Sequence, residues 1–184
     1  VPRNGKEIFF TVDGEAEMAQ EWIYPELKER LAGYRKKGYL CLMVSASPSF
    51  YVKPLGELLG FDEVLGTDVL LEERMPAMPE LPNGNNKGAV KVERLRERNV
   101  LPEHGVLENA VAYSDSAADL PMLLSCRRRV LVNPSPALKE DRLLDGAECL
   151  YPARPWKGRF GKIWRIGFFV MGLVDVNNVK SMTC

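Results

Sequence analysis

The run Leu40–Val44 is the feature that most limits how this chain can fold. All five of its residues are apolar, with no alternation between apolar and polar positions. A strand with one exposed face alternates, whereas a strand that helices cover on both faces reads as a continuous apolar run. The run therefore predicts an inner strand of a parallel sheet.

The residues after this run predict a short turn and a helix. Ser45–Ser47 is rich in hydroxyl groups, and Pro48 opens an apolar pattern at helical spacing that Gly60 closes. Proline is tolerated at the first helical position because its missing N–H would have no partner there. A helix N-terminus at the carboxyl end of a parallel strand suits a phosphate. Taken alone, however, the same residues are better explained as an ordinary serine N-cap.

Strand-like and helix-like segments alternate along the rest of the chain. β-prone runs at 8–12, 64–71, 110–114, 129–133 and 149–151 are separated mostly by helical patterns, and further helices are expected over 15–24 and 136–144. This alternation predicts an α/β protein with a doubly wound parallel sheet and helices on both faces. We expect an N-terminal strand and helix at 1–24, a core at 25–152 and a tail at 153–184.

Charge balance and the spacing of special residues exclude several classes of function. Lys and Arg together number 25, as do Asp and Glu, so no overall basic field attracts nucleic acid. The four cysteines have no Cys-x-x-Cys spacing and His104 is the single histidine, which argues against zinc, dithiol and Ser-His-Asp sites. A reducing, cytoplasmic setting fits these cysteines best.

The tail combines basic, aromatic and apolar residues between 156 and 176. Its stretch Ile166–Val174 has nine residues without charge, which is shorter than the ~20 apolar residues that span a bilayer. Three interpretations stay open. The segment could associate with a membrane surface, begin a longer spanning helix, or pack on the domain.

Three polar features follow one another in a fixed order at predicted strand ends and helix starts. They are Ser45, then Lys87 at the start of a helical pattern, then Asp115 with Asp119. A hydroxyl with turn N–H groups can bind phosphate oxygens, and a lysine opposes their charge. Two carboxylates at a strand tip and in the following helix suit Mg²⁺. Singly, each feature is an ordinary surface or capping residue, but the ordered set favours a functional site.

These stretches resemble motifs of the haloacid dehalogenase superfamily, in its phosphoserine-phosphatase-like branch. Val44–Leu55 resembles the second motif of that branch, Asn86–Leu95 the third, and Ala112–Leu123 the fourth. The resemblance runs from about Glu15 to Tyr151. It implies a Mg²⁺-dependent phosphatase that acts on a small phosphorylated substrate.

The resemblance also implies a role for each site residue. Lys87 steadies the phosphate and the nucleophile, Asp115 binds Mg²⁺, and Asp119 supports the metal or its water. The phosphate is bound by the three residues that follow the central run, Ser45, Ala46 and Ser47.

The family's first motif, Asp-x-Asp-Gly-Thr, has no intact counterpart in this sequence. Its first Asp is the nucleophile and its second is the general acid/base. In one interpretation Phe9–Glu15 is a decayed first motif, with Thr11 replacing the nucleophile and Asp13 as a candidate catalytic residue. In the other, the motif lies upstream of Val1 and residues 15–24 end a cap that is mostly absent. We favour the second, because residues 15–27 resemble the end of such a cap and the chain does not begin with Met.

Two functional hypotheses follow from these alternatives. The first is the core of a phosphomonoesterase, which we expect to be inactive as given because it lacks the aspartyl nucleophile. The second is a non-catalytic module that binds a phosphorylated ligand or is fused to a lipid acyltransferase.

The missing motif also leads to a prediction about the fold. In the family, the first-motif strand lies between the strands that end at Ser45 and Asp115. A gap there would leave buried backbone groups unpaired, at about 1–3 kcal/mol each. We therefore predict that the run at 8–12 pairs between those two strands and brings Asp13 near Ser45, Lys87 and Asp115.

Overall fold

The computed structural model describes residues 7–10, 23–70 and 80–153. The chain divides into two compact units, Val1–Ala153 and Arg154–Cys184, and the described residues all belong to the first. The tail from 154 onward, with its expected membrane contact, therefore lies outside the described residues. Residues 15–22 of the helix predicted over 15–24 also lie outside the described residues. The last two residues of that prediction, 23 and 24, are described and are not helical.

The strands in the described part of the chain form one sheet in which every neighbouring pair is parallel. Their order across the sheet is β3-β2-β1-β4-β5-β6. In chain order the strands are β1 Glu7–Phe10, β2 Leu40–Pro48, β3 Glu63–Thr67, β4 Leu107–Ser114, β5 Cys126–Val132 and β6 Glu148–Leu150. The predicted parallel α/β fold is confirmed.

Helices connect the strands. They are α1 Pro25–Lys36, α2 Ser49–Leu59, α3 Ala89–Glu97, α4 Leu120–Leu124 and α5 Pro136–Lys139, with 3₁₀ turns at Ala117–Asp119 and Arg142–Leu144. Gly60 ends α2 with a φ of 83°, as its predicted capping role requires. The prediction of one continuous helix over 136–144 is wrong, because α5 ends at Lys139. The Asp141 side chain then accepts a hydrogen bond from the Leu143 N–H and starts a separate 3₁₀ turn. No helix among the described residues has the length and apolarity needed to cross a bilayer.

Strand β2 shows why the central run is apolar throughout. Leu42 and Val44 belong to a core cluster with residues of α3 and α4, whereas Cys41 and Met43 belong to a second cluster with residues of α1 and α2. All four side chains are fully buried. Because successive residues of a strand point to opposite faces, helices cover this sheet on both sides.

Strand β1 lies where the gap argument placed it. Phe9 pairs with Leu42 of β2 on one side and with Ala112 of β4 on the other. The predicted pairing of the run at 8–12 is thus confirmed for residues 8 to 10. The expected position of Asp13 lies outside the described residues.

The ends of two strands differ from the prediction. β2 continues through Ser45–Ser47 to Pro48, so the expected turn is extended chain and α2 begins one residue later than predicted. The reason lies in β3, because the β2–β3 register shifts after Val44 and resumes where Pro48 meets Thr67. β3 itself ends at Thr67, four residues earlier than the pattern suggested.

Candidate active site

The predicted site residues lie at the carboxyl edge of the sheet. Met43, Phe10 and Tyr113 form one row across β2, β1 and β4. Ser45 comes two residues after Met43, and Asp115 two residues after Tyr113. Neighbouring strands lie ~4.8 Å apart, so β2 and β4 are about 10 Å apart with β1 between them. The sheet therefore brings the Ser45 and Asp115 segments to the same edge, where open α/β sheets bind ligands.

The segment Ser45–Ser47 is held by hydrogen bonds at each residue. Ser45 is fully buried, and its Oγ accepts from the Ser47 N–H at 3.1 Å. The Ser45 carbonyl accepts from Asn86 Nδ2 at 2.9 Å, and the Ala46 carbonyl accepts from Thr67 Oγ1 at 2.7 Å. Ala46 and Ser47 are half-buried and lead directly into α2. This arrangement presents a fixed stretch of backbone at a helix N-terminus.

Lys87 lies just ahead of α3 and is exposed. Its backbone N–H donates to the Asn85 carbonyl at 2.7 Å, and Gly88 follows as the N-cap with a φ of 61°. A Cβ at Gly88 would meet the Ala118 carbonyl oxygen at 3.6 Å, an ordinary contact. The positive φ of Gly88, rather than a lack of space for a Cβ, therefore favours glycine at this position. The same short distance shows that the start of α3 lies beside the segment between Asp115 and Asp119.

A second lysine, one turn further on, is buried. Lys91 is 1% exposed, and its Nζ lies 2.7 Å from Asp119 Oδ1. Sequence reasoning missed this residue because a lysine on a helix is ordinarily solvated. A signal was nevertheless present, since Lys91 lies beside Val92 and four residues before Leu95, on the apolar stripe that packs into the core.

Asp119 has a partner on each carboxylate oxygen. Besides the Lys91 ion pair, Ser114 Oγ donates to Asp119 Oδ2 at 2.7 Å, and both atoms are buried. The Ser116 N–H in turn donates to Ser114 Oγ at 3.1 Å. A buried charge persists only when it is paired and hydrogen-bonded in this way. The geometry makes Asp119 the partner of Lys91, and its role at a metal stays a prediction.

Asp115 is exposed at the end of β4. The turn after it is fixed, because Ser116 Oγ accepts from the Ala118 N–H at 3.3 Å. Among residues 23–70 and 80–153, no three His, Cys, Asp or Glu side chains are grouped closely enough to hold a metal ion. Mg²⁺ needs fewer, since it keeps several waters and binds through one or two carboxylates plus phosphate oxygens. Asp115 fits as one such ligand.

A polar cluster borders this edge on the β3 side. Asp68 accepts from Ser49 Oγ and from Asn83 Nδ2, each at 3.0 Å. The hydrogen bond from Asn83, then the one from Ser49, holds the pKa of the Asp68 carboxyl below its usual value, against the opposing effect of burial. Arg94 lies 3.8 Å from the same carboxylate and donates to the Gly66 carbonyl at 2.7 Å. The cluster ties the start of α2 to the ends of the loop before α3.

A parallel sheet with polar side chains at its carboxyl edge defines an α/β protein whose ligand site is expected at that edge. The family model for haloacid dehalogenase-like hydrolases matches residues 4–124, which is well over half of the chain. The chain therefore belongs to this family, and the predicted superfamily is confirmed.

The chain is also similar in sequence or in fold to several known proteins. The "Inhibition of morphological differentiation protein" of Streptomyces azureus is 35% identical over 133 residues, which are 72% of this chain and 47% of that protein. A "Probable phosphatase" of Mycobacterium tuberculosis is 28% identical over 141 residues, with 72% and 45% covered. The chain thus spans about half the length of these two relatives.

Among solved structures, a phospho-aspartyl intermediate analogue of phosphoserine phosphatase superposes with a TM-score of 0.57. The match covers 88% of this chain and 98% of that one, at 16% sequence identity. At such low identity the likeness concerns the fold alone. The α/β fold of this chain is thus shared with a phosphoserine phosphatase.

Proposed function

We propose that this chain is the core of a Mg²⁺-dependent phosphatase that hydrolyses phosphomonoesters of small molecules. The buried Lys91–Asp119 pair, next to the end of β4, is the observation that carries the proposal. Burying two charges is expensive, and a hydrophobic pair of similar volume is often as stable or more so. A retained pair at the ligand-binding edge of the sheet therefore favours a functional role for the lysine.

We assign to Lys91 the role that the resemblance suggested for Lys87. A phosphate needs a positive charge in a fixed position, and Asp119 fixes the ammonium of Lys91 at 2.7 Å. An ammonium carries three N–H donors, so it can serve a phosphate as well as a carboxylate. Lys87 is exposed, which suits a weaker contribution to attracting an anion.

The remaining chemistry is divided between two strand ends. Backbone N–H groups and the hydroxyl of Ser45–Ser47 would bind phosphate oxygens, and Asp115 would hold Mg²⁺. Bound Mg²⁺ would supply charge neutralisation of the phosphate oxygens. Asp119 acts indirectly, because it orients Lys91 rather than touching the substrate.

The proposal assigns the role of nucleophile to none of the described residues. The phosphoserine phosphatase neighbour carries a phospho-aspartyl analogue, which supports a covalent aspartyl route in this family. Here Thr11 and Asp13 follow β1 in the sequence, and a threonine hydroxyl is not a carboxylate. We therefore expect this chain to bind Mg²⁺ and phosphate without turnover, and an aspartyl nucleophile from elsewhere in a longer protein to complete the site.

Binding to the chain itself tests the proposal. Inorganic phosphate is titrated by NMR with and without Mg²⁺, in the wild type and in Asp115→Asn, Lys91→Met and Lys87→Met. We expect Mg²⁺ to strengthen phosphate binding in the wild type but not in Asp115→Asn, and Lys91→Met to weaken it more than Lys87→Met. A wild type that does not bind phosphate, or an Asp115→Asn variant that still responds to Mg²⁺, would count against the proposal.

A gain-of-function variant separates the two interpretations of the missing motif. Thr11→Asp restores an Asp-x-Asp-Gly pattern, and Thr11→Asn is its uncharged control. Turnover of an aryl phosphate with Mg²⁺ by Thr11→Asp alone would mean that Phe9–Glu15 is the decayed motif. If the nucleophile lies in another segment, we expect neither variant to hydrolyse the aryl phosphate.

A non-catalytic phosphate-binding module is the second candidate function. The observation that favours it is the sequence of residues 7–15, which contains no Asp-x-Asp pair. The discriminating measurement is hydrolysis by the longest natural form of the protein. Phosphate binding by that form without hydrolysis would favour the module.

A further inference from the structure

The β2–β3 pairing is interrupted where the candidate phosphate segment begins. Its regular register ends with Val44 opposite Leu65 and resumes only at Pro48 and Thr67. Buried carbonyl groups in such an interruption lose their strand partners, and each unpaired one costs about 1–3 kcal/mol. The carbonyls in this interruption must therefore be satisfied in another way.

Two side chains from outside β2 replace the missing ladder. Asn86 Nδ2 donates to the Ser45 carbonyl at 2.9 Å and to the Leu65 carbonyl at 3.0 Å. Thr67 Oγ1 donates to the Ala46 carbonyl at 2.7 Å. The two residues are also joined, since the Asn86 N–H donates to Thr67 Oγ1 at 3.0 Å. They form one buried network that spans the interruption.

The side-chain oxygen of Asn86 indicates that this position requires the Nδ2 hydrogen-bond donor rather than an acceptor. Asn86 is fully buried, and its Oδ1 has no hydrogen-bond partner. Reversing the amide would place that oxygen against two carbonyl oxygens, which repel it. The side chain thus leaves its acceptor unsatisfied in order to give both N–H groups to Ser45 and Leu65.

Fixing these carbonyls also fixes the next N–H groups. A peptide unit is planar, so each carbonyl is locked to the N–H of the following residue on the opposite side of the chain. Asn86 therefore sets the direction of the Ala46 N–H, and Thr67 sets that of the Ser47 N–H. The Ser47 N–H donates to Ser45 Oγ at 3.1 Å and so holds that hydroxyl in place, while the Ala46 N–H is the backbone donor assigned to the phosphate.

We propose that Asn86 and Thr67 are positioning residues that fix the backbone of Ser45–Ser47, so that the Ala46 N–H and the Ser45 hydroxyl meet a bound phosphate. The inference rests on the proposed function, which assigns phosphate binding to Ser45–Ser47. It adds that the geometry of this segment is imposed from β3 and from the loop before α3 rather than by β2 itself.

Four variants of the full chain test this role. Asn86→Asp keeps the shape but replaces the two donated N–H groups by an oxygen, and Thr67→Val keeps the shape but removes the hydroxyl. Thr67→Ser restores the hydroxyl. Ser125→Ala is the matched control, because it removes a hydroxyl that donates to the Pro121 carbonyl just before β5, at the opposite edge of the sheet.

Two measurements are made on each variant. The Ala46 and Ser47 amide resonances of the free protein report the backbone geometry, and titrations of inorganic phosphate and of Mg²⁺ report the site. We expect Asn86→Asp and Thr67→Val to shift both amide signals. Both variants should also weaken phosphate binding about tenfold, which is about the net contribution of one to two hydrogen bonds. Thr67→Ser and Ser125→Ala should match the wild type. Mg²⁺ affinity should hold in all four, since Asp115 is untouched.

The outcomes separate this inference from the proposed function. A Thr67→Val variant with unchanged amide signals and unchanged phosphate affinity would overturn the positioning role. If the wild type itself does not bind phosphate, the proposed function fails, and the amide signals alone then decide. Shifts in Asn86→Asp and Thr67→Val but not in Ser125→Ala support positioning of the segment, and their absence refutes it.

Discussion

Replacing Lys91 by methionine is the sharpest test of the site. Methionine has about the length of the lysine side chain but no charge, so Lys91→Met leaves the Asp119 carboxylate buried without its ion-pair partner. Lys87→Met, four residues earlier, makes the same chemical change at an exposed position. The pair of variants therefore isolates the effect of burial from the effect of the substitution.

The expected magnitude follows from burial on both sides of the ion pair. The side chains of Lys91 and Asp119 are each 2% exposed, and their charged atoms lie 2.7 Å apart. Removing one partner of such a pair typically costs about 3–5 kcal/mol, because the remaining charge is left uncompensated. Surface substitutions such as Lys87→Met usually stay within about 0.5 kcal/mol. For a domain of this size the Lys91 variant should melt ~10 °C lower.

Urea unfolding followed by circular dichroism measures both variants. Asp119→Asn and the double variant Lys91→Met/Asp119→Asn complete the cycle. We expect the double variant to lose less stability than the sum of the two single variants, because no unpaired charge remains in it. The Ser114 hydrogen bond still reaches the amide oxygen of an asparagine, so that contact is largely kept.

A clear result would refute this reasoning. If Lys91→Met destabilises the protein no more than Lys87→Met does, the pair is not a buried ion pair in solution. An additive double variant would show that the two side chains do not interact. Either result would also remove the main support for assigning the phosphate-binding lysine to position 91.

Three further predictions concern the surroundings of the site. Gly66→Ala should destabilise the protein by at least about 1 kcal/mol in urea unfolding, because a Cβ there would lie 2.6 Å from the backbone of α2. Gly33→Ala is its control. A Cβ at Gly33 would lie in open space, so this variant should be about 0.5–1 kcal/mol more stable than the wild type. Burial, followed by the nearby Asp62 carboxylate, raises the pKa of the Cys41 thiol to about 11, so iodoacetamide mapped by mass spectrometry should label Cys149 well before Cys41 near neutral pH. Because the pKa of Asp68 is lower in the folded protein, its carboxylate contributes stability above the pKa of the unfolded state. This contribution is lost as the pH falls through the folded-state pKa. Asp68→Asn should therefore cost more stability at about pH 7 than at about pH 3.

Backbone placement was predictable where it followed from burial. The Leu40–Val44 run has no exposed face, and the structure buries Cys41, Leu42, Met43 and Val44 completely. The position of β1 was predictable for a related reason. A gap between β2 and β4 would leave a strand's worth of unpaired groups, so some β-prone segment had to fill it. The burial argument needs no family resemblance, whereas the location of the gap between β2 and β4 comes from the strand order of the family.

Local patterns failed where a residue's state depends on a distant partner. Ser45–Ser47 looked like a turn, but whether it stays extended is decided by Thr67, which pairs with Pro48 and supports the segment from β3. Lys91 looked solvated, and only the return of the chain at Asp119 makes its burial tolerable. Both partners lie about 20 to 28 residues away in the sequence, beyond the reach of helical or strand periodicity.

The last prediction concerns the short strand β1, which pairs on both sides. In a parallel strand, the backbone groups of successive residues point alternately to the two neighbouring strands, so each N–H of an inner strand meets one neighbour. Ile8 pairs with Cys41 and Val111, and Phe9 with Leu42 and Ala112. Proline at either position removes an N–H, and the carbonyl that loses its donor stays buried.

We therefore expect Ile8→Pro and Phe9→Pro each to lower the free energy of unfolding by at least about 2 kcal/mol in urea. The alanine variants at the same two positions are the controls, because they shorten the side chain but keep the N–H. A proline variant no less stable than its alanine control would mean that β1 does not complete the sheet. In that case β2 and β4 must pair with each other or with a second copy of the chain, which a change in oligomeric state by size-exclusion chromatography would reveal. The position of β1 matters for the chemistry too, since Thr11 and Asp13 follow it directly in the sequence.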